Sequence, residues 1–170
     1  RQSGFLSPVF SDSTSLGAGF GLPYYWVISN DKDLTFAPRI YNNENPVFLN
    51  EYRQAFRNGF FILDTSYTEG YKKTNSTKTD GSRNHIFSNL DFNFNDDDTY
   101  LSHLSLKVQK TSNDTYFRIY DINSELVDSS NTDIKNEINY RYEKDDFLFN
   151  ISASVYENLR ENTNSRYEYI

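Results

Sequence analysis

Strict alternation of apolar and polar residues is the feature that most limits how this chain can fold. Residues 86–95 read Ile-Phe-Ser-Asn-Leu-Asp-Phe-Asn-Phe-Asn, so one face is mainly apolar and the other carries amides and a carboxylate. Residues 103–109, 134–143 and 147–156 divide in the same way. A period of two is that of a β-strand, and segments of about ten residues are long enough to cross a bilayer when tilted. The pattern predicts an all-β chain of amphipathic strands.

The connectors between these segments predict how the strands are arranged. Short connectors follow the second, fourth, sixth and eighth segments, whereas residues 70–81 and 113–132 form long ones. Outer-membrane barrels have short periplasmic turns and long external loops, so the order favours an antiparallel meander within one barrel domain spanning residues 1–170. The predicted strands lie near residues 3–10, 17–28, 33–42, 47–57, 59–69, 82–95, 98–112, 133–144 and 146–157, with a tenth beginning near Arg166.

Composition agrees with a barrel wall. Only 36% of the residues are hydrophobic, yet 17% are aromatic, which argues against disorder. The longest clearly apolar run, residues 60–63, is far shorter than the roughly 20 residues of a membrane-spanning helix. A barrel strand alternates lipid-facing and lumen-facing residues, so about half of the wall can be polar.

Other function classes are disfavoured by charge and by residue type. A net charge of -7 gives no footprint for nucleic acid, and a chain with no cysteine has neither disulfides nor thiolate sites. The chain begins with Arg1 and shows no signal-peptide pattern, so we expect a processed or internal segment.

The acidic clusters and the histidines do not predict an enzyme. Residues 30–33, 96–98 and 145–146 could be cation sites, but they fall where tight turns use Asn and Asp, and turns are the favoured interpretation. His85 and His103 lie in strand patterns, and the sequence has no Gly-x-Ser-x-Gly elbow. We expect histidines of the wall or rim, with no cofactor, metal or catalytic residue.

Four short motifs resemble one family. Residues 1–8 read Arg-Gln-Ser-Gly-Phe-Leu-Ser-Pro and residues 21–26 read Gly-Leu-Pro-Tyr-Tyr-Trp. Residues 33–39 then read Asp-Leu-Thr-Phe-Ala-Pro-Arg, and 51–53 read Glu-Tyr-Arg. Their order and spacing resemble the start of the barrel of the LptD family, the lipopolysaccharide-assembly proteins also called organic solvent tolerance proteins. Residues 114–118 and 166–169 resemble the family more loosely.

The resemblance implies a fold and a function. It implies a barrel of roughly 26 strands, of which this chain supplies about the first ten, with a periplasmic domain before residue 1 and the remaining strands after the chain. It also implies lipopolysaccharide transport and assembly into the outer leaflet of the outer membrane of a Gram-negative bacterium, through a barrel lumen and a lateral gate. The implied partners are lipopolysaccharide, a plug lipoprotein of the LptE type, a periplasmic bridge protein of the LptA type and outer-membrane lipids.

Three sets of residues become candidate sites. Proline has no N–H to give to a β ladder, so two prolines beside glycines predict a weakened edge at the lateral gate, although they could simply mark strand ends or bulges. The gate set is Pro8, Pro23, Gly4, Phe5 and Gly21. An aromatic girdle at the headgroup layer is predicted for Tyr24, Tyr25 and Trp26, with core packing in a soluble protein as the alternative. Contacts with lipid phosphates, or a merely solvated loop, are predicted for Lys72, Lys73, Lys78 and Arg83.

Two alternatives remain open from the sequence. A different outer-membrane barrel, such as a porin-like channel, shares the alternation but lacks the gate. A soluble β-sandwich that binds carbohydrate through its aromatic residues is the alternative from another class.

Overall fold

The computed structural model describes residues 1–72, 81–95, 99–160 and 166–170. Within these residues, twelve strands form one antiparallel sheet, which confirms the all-β prediction. The strands are β1 (Gly4–Phe5), β2 (Val9–Ser13), β3 (Gly17–Gly21), β4 (Tyr24–Ser29), β5 (Lys32–Tyr41), β6 (Val47–Phe56), β7 (Gly59–Thr68), β8 (Arg83–Asn93), β9 (Leu101–Thr111), β10 (Asp133–Lys144), β11 (Phe147–Asn158) and β12 (Tyr167–Tyr169). A short helix, α1 (Tyr116–Tyr120), lies between β9 and β10.

Each strand from β4 onward pairs with the next strand in the chain. At one edge of the sheet β1 pairs with β4, while β2 pairs with β3 and β3 pairs with β5. Tight turns join β4 to β5, β6 to β7 and β10 to β11, and Asp145 turns the last of these with a φ of 49°. Asp is among the few residues with a side chain that accept this left-handed conformation. The predicted meander is confirmed, and the open sheet is consistent with part of a barrel.

Proline divides the first two predicted strands. The sequence predicts single strands at 3–10 and 17–28, but each is two strands separated at Pro8 and at Pro23. Neither residue has an N–H to donate to the ladder. A backbone bond from Leu6 N to Pro23 O, 2.9 Å long, bridges the two interruptions.

The two faces of the sheet have the reverse of the burial found in soluble proteins. Large apolar side chains lie exposed on one face, with Ile86 51% and Ile151 59% accessible. Polar side chains on the opposite face, such as those of Asp64 and His85, are buried. A soluble sheet buries its apolar face, so this face needs an apolar environment that the chain itself does not supply.

The segment between β9 and β10 covers the polar face. Asp121 caps the C-terminus of α1, with a left-handed φ of 45° and an N–H that donates to Phe117 O. Aromatic and aliphatic side chains of this segment pack against wall residues to form the buried cluster of the protein. The cluster contains Leu16, Tyr41, Val47, Phe87, Tyr116, Phe117, Tyr120, Ile122, Val127, Ile134 and Leu159.

Candidate functional site

The five residues predicted for a gate lie together at the β1 edge of the sheet. Gly4 and Phe5 form β1, which has only two residue pairs with β4. Gly21 ends β3, where a Cβ would lie 3.3 Å from the carbonyl oxygen of Pro38, so the backbones approach closely there. Pro8 and Pro23 occupy the two interruptions. β1 is therefore held to β4 by few ladder bonds.

Alternation separates the three residues predicted for an aromatic girdle. Tyr24 and Trp26 are exposed on the apolar face. Tyr25 is on the opposite face, where its hydroxyl donates to Asp33 Oδ2 at 3.0 Å. Of the three residues, Tyr24 and Trp26 lie on the apolar face and Tyr25 does not, and the aromatic girdle stays a prediction.

The basic residues predicted to meet lipid phosphates are not equivalent. Lys73 and Lys78 lie outside the described residues. The backbone N–H of Lys72 donates to Glu44 Oε2. Arg83 is buried, with its guanidinium 4.4 Å from the ring centroid of Tyr71, so it is not placed to meet a phosphate at the surface.

A polar chain joins the wall to helix α1. The hydroxyl of Tyr116 lies 2.8 Å from Ser66 Oγ, and Ser66 Oγ lies 2.5 Å from His85 Nδ1. On the other side of the ring, His85 Nε2 lies 2.8 Å from Asp64 Oδ1. Burial raises the pKa of Tyr116, so its hydroxyl stays protonated and able to bond.

These contacts have the connectivity of a serine, histidine and aspartate triad, but not its access. Ser66, His85 and Asp64 are all buried, and Tyr116 lies directly against the serine hydroxyl. A nucleophile needs space beside it for the reacting atom. The arrangement holds α1 against the wall, and it agrees with the expectation that His85 is a wall residue.

Two further groups fasten the β9–β10 segment. Arg39, on β5, donates from Nη1 to the carbonyl oxygens of Tyr120 and Asp121 at 3.1 and 3.0 Å, which satisfies acceptors at the end of α1. Arg166, before β12, contacts both carboxylate oxygens of Asp114 at 2.7 and 3.0 Å. The same guanidinium donates to Glu157 Oε1, and these carboxylates raise the pKa of Arg166.

The acidic segments behave as turns where they are described. A hydrogen bond from the Ser29 hydroxyl lowers the pKa of Asp31 in the β4–β5 turn, and residues 96–98 lie outside the described residues. Among the described residues, no three His, Asp or Glu side chains are grouped as a metal site would require. In the same part of the chain no helix is long and apolar enough to cross a membrane.

Sequence reasoning missed the residues that fasten the β9–β10 segment. Tyr116, Phe117 and Tyr120 follow one another at the spacing of one helical face, which was a usable signal of burial. The contacts of Arg39 with the end of α1 and of Arg166 with Asp114 link residues 52 to 82 positions apart, and local patterns carry no signal for these.

The fold and the site define a class. An antiparallel sheet of amphipathic strands with its apolar face outward, its polar face covered and its two longest connectors, β7–β8 and β9–β10, at the same end is typical of the wall of a membrane β-barrel.

Comparison with known proteins gives the family. The chain is 32% identical over 121 residues to the LPS-assembly protein LptD of Nitrosococcus oceani, an alignment that covers 66% of this chain and 16% of that protein. It is 26% identical over 168 residues to LPS-assembly protein LptD of Legionella pneumophila strain Lens, covering 94% of this chain and 20% of that protein. The LptD of Nitrosomonas europaea is 29% identical over 121 residues, covering 66% and 16%. The resemblance to the LptD family is thereby confirmed.

The alignments cover only a small part of each relative. The chain spans 16 to 20% of the length of these curated proteins. No protein-family model matches the chain.

Proposed function

We propose that this chain is part of the wall of an LptD-type outer-membrane barrel, which takes part in lipopolysaccharide transport and assembly in a Gram-negative bacterium. The observation that carries the proposal is the similarity to proteins named LPS-assembly protein LptD over 66 to 94% of the chain. The outward apolar face supports it, because lipid is the environment that such a face requires.

The exit that we propose for lipopolysaccharide is a lateral gate at the β1 edge. A gate strand must part from its neighbour, and each ladder hydrogen bond contributes only about 0.5–1.5 kcal/mol net. The two residue pairs of β1 and the interruptions at Pro8 and Pro23 make this edge weak. The glycines beside them, Gly4 and Gly21, and the exposed ring of Phe5 belong to the same edge.

The inner face would line the lumen. It carries buried polar and charged side chains, and the β9–β10 segment narrows the space in front of it. The work proposed for the protein is transport and not bond chemistry, since the buried serine and histidine are covered by Tyr116. A plug lipoprotein of the LptE type inside the lumen, and a bridge protein of the LptA type at a preceding periplasmic domain, complete the proposal.

The gate can be tested in the full-length protein by locking the seam, which is the contact between the first and last strands of the barrel. Cross-linking the first strand to the last strand of the barrel should abolish delivery of lipopolysaccharide to the cell surface, measured by surface labelling and by sensitivity to large hydrophobic antibiotics. The cross-link is a disulfide between one cysteine introduced in each of the two strands, and the same variant kept reduced is the matched control. Normal delivery with the seam locked would exclude a lateral exit, and steady ion conductance without lipid export would indicate a porin-like channel instead.

A second variant tests the prolines alone. Pro8→Ala with Pro23→Ala restores two N–H donors, which could strengthen local pairing by roughly 1–3 kcal/mol if both find acceptors. We expect intact barrel assembly, judged by heat-modifiable gel mobility, with slower delivery. Unchanged delivery in this variant would show that the prolines do not contribute to gating. The cross-linking experiment would still decide whether the gate exists.

A further inference from the structure

A buried carboxylate collects donors from three separate elements at the short-turn end of the inner face. Asp33, on β5, is 1% exposed. Its Oδ1 accepts from Arg53 Nε at 2.9 Å, and its Oδ2 accepts from Arg1 Nη1 at 2.8 Å and from the Tyr25 hydroxyl at 3.0 Å. A buried charge is tolerated only when it is paired and hydrogen-bonded, and here both oxygens are satisfied.

One of these donors, Arg1, belongs to the chain just before β1, whereas the acceptor is on β5. Arg1 precedes β1, and its guanidinium reaches past the neighbouring strand β4 to Asp33 on β5. Ser3 adds a second side-chain attachment, since its hydroxyl oxygen accepts from the backbone N–H of Val27 at 2.8 Å. With two ladder pairs of its own, β1 depends on these side chains for its position.

The other half of the same edge has no comparable attachment. Beyond Pro8 the chain continues as β2, which pairs with β3, a strand in which three of five residues are glycine. Among the described residues, no ion pair involves β2 or β3. β2 has five residue pairs with β3, against two for β1 with β4, so the edge has one end fastened by charged side chains and one end held by ladder pairs and the ring contact of Phe10 with Phe20.

We propose that the Asp33 cluster, made of Arg1, Tyr25, Asp33 and Arg53, anchors the short-turn end of the edge strand. Opening of the seam, which rests on the proposed function, is then confined to the part beyond Pro8. Asp33 is a positioning residue, because it is buried and acts on β1 through Arg1.

Amide hydrogen exchange of the full-length protein in detergent micelles tests the anchor without any transport assay. Arg1→Gln should accelerate exchange of residues 3–7 by about threefold, the modest effect of a pair with one exposed partner. Asp33→Asn should accelerate it by roughly tenfold or more, because a buried charged hydrogen-bond network is broken. Residues 9–21 should be unchanged in both variants.

Matched variants separate the anchor from general loosening. Arg141→Gln removes a comparable ion pair, 2.7 Å from Glu143 on β10, and should leave residues 3–7 unchanged. Arg1→Lys keeps the charge and should restore most of the protection. If the Asp33→Asn variant fails to assemble, amide exchange of residues 3–7 in the Arg1→Gln and Tyr25→Phe variants tests the anchor instead. Unchanged exchange at residues 3–7 in assembled variants, or equal acceleration at 9–21, would overturn the anchor.

Photo-cross-linking tests where the seam opens. Phe5 and Phe10 are both exposed, at 70% and 75%, and lie on opposite sides of Pro8, so a photo-reactive phenylalanine at either position samples one half of the edge. We expect lipopolysaccharide to cross-link at Phe10 and not at Phe5. Equal cross-linking at both would refute confinement of the opening. Cross-linking at neither would count against the lateral exit itself, while the exchange experiment would still decide on the anchor.

Discussion

Removing one aromatic ring from helix α1 should release the whole β9–β10 segment from the wall. Phe117 is buried, with its ring centroid 5.2 Å from that of Phe87 and 5.1 Å from that of His85. Phe→Ala in a packed core costs about 3–5 kcal/mol, part of it for the cavity that remains. A five-residue helix has no independent stability, so α1 stays folded only while it is docked.

The expected result of Phe117→Ala is local undocking within an assembled barrel. A loss of about 3 kcal/mol raises the undocked population more than a hundredfold, since every 1.4 kcal/mol is a factor of about ten. Amide exchange and proteolysis within residues 112–132 should increase by about that factor, while heat-modifiable mobility stays the same. Arg118→Ala is the matched control, because Arg118 is exposed on the same helix. Unchanged protection of residues 112–132 in the Phe117 variant would refute this account of the docking.

Three further outcomes follow from the same contacts. Burial raises the pKa of Tyr116 and raises that of Tyr120 to about 12, above the unfolded value near 10, so docking should be complete below pH 10 and lost as the pH rises toward 12. Tyrosinate absorbance and amide exchange of the β9–β10 segment should be followed together as the pH rises. Titration of the tyrosines without faster exchange would contradict this prediction. Ser66→Ala removes the hydrogen-bond partner of the Tyr116 hydroxyl and should weaken docking by about 1–3 kcal/mol, whereas unchanged docking would show that the bond is dispensable. Arg166→Gln breaks the bidentate contact with Asp114 and should speed proteolysis near residue 114 several-fold, whereas Arg166→Lys should do so less.

Alternation predicted the strands well because it is a local signal. The strand predicted at 133–144 is β10 (Asp133–Lys144), and that predicted at 146–157 is β11 (Phe147–Asn158). Successive residues of a strand point to opposite faces of the sheet, so the period of two can be recognised within a short stretch of sequence. For Pro8 and Pro23 the sequence predicted either weak pairing or strand ends and bulges, and the structure has separate strands on either side of each proline.

The covered inner face could not be predicted in the same way. A 20-residue connector reads as a loop, and its docking depends on wall residues far away in the chain, such as Arg39 and Phe87. For the basic connector the sequence left two interpretations open, contacts with lipid phosphates or a solvated loop, and the burial of Arg83 beside Tyr71 was in neither of them. Charge alone indicates neither the partner nor the depth of a side chain.

The motifs that resemble the LptD family acquire a physical meaning when the sheet is assembled. The N-terminal motifs supply Arg1, Tyr25 and Arg53, which meet around the buried carboxylate of Asp33. The two looser matches, residues 114–118 and 166–169, meet through the contact between Arg166 and Asp114.

A barrel wall explains why recognisable residues should concentrate at such points. A surface that faces lipid needs only to be apolar, so Phe, Ile, Leu and Val are nearly interchangeable on the outer face. An ion pair on the inner face needs particular side chains at particular distances, because a misplaced charge that is buried without its partner is costly. Substitutions among apolar residues at Ile86 or Ile151 should therefore be tolerated, whereas a change as small as Asp33→Asn should not be.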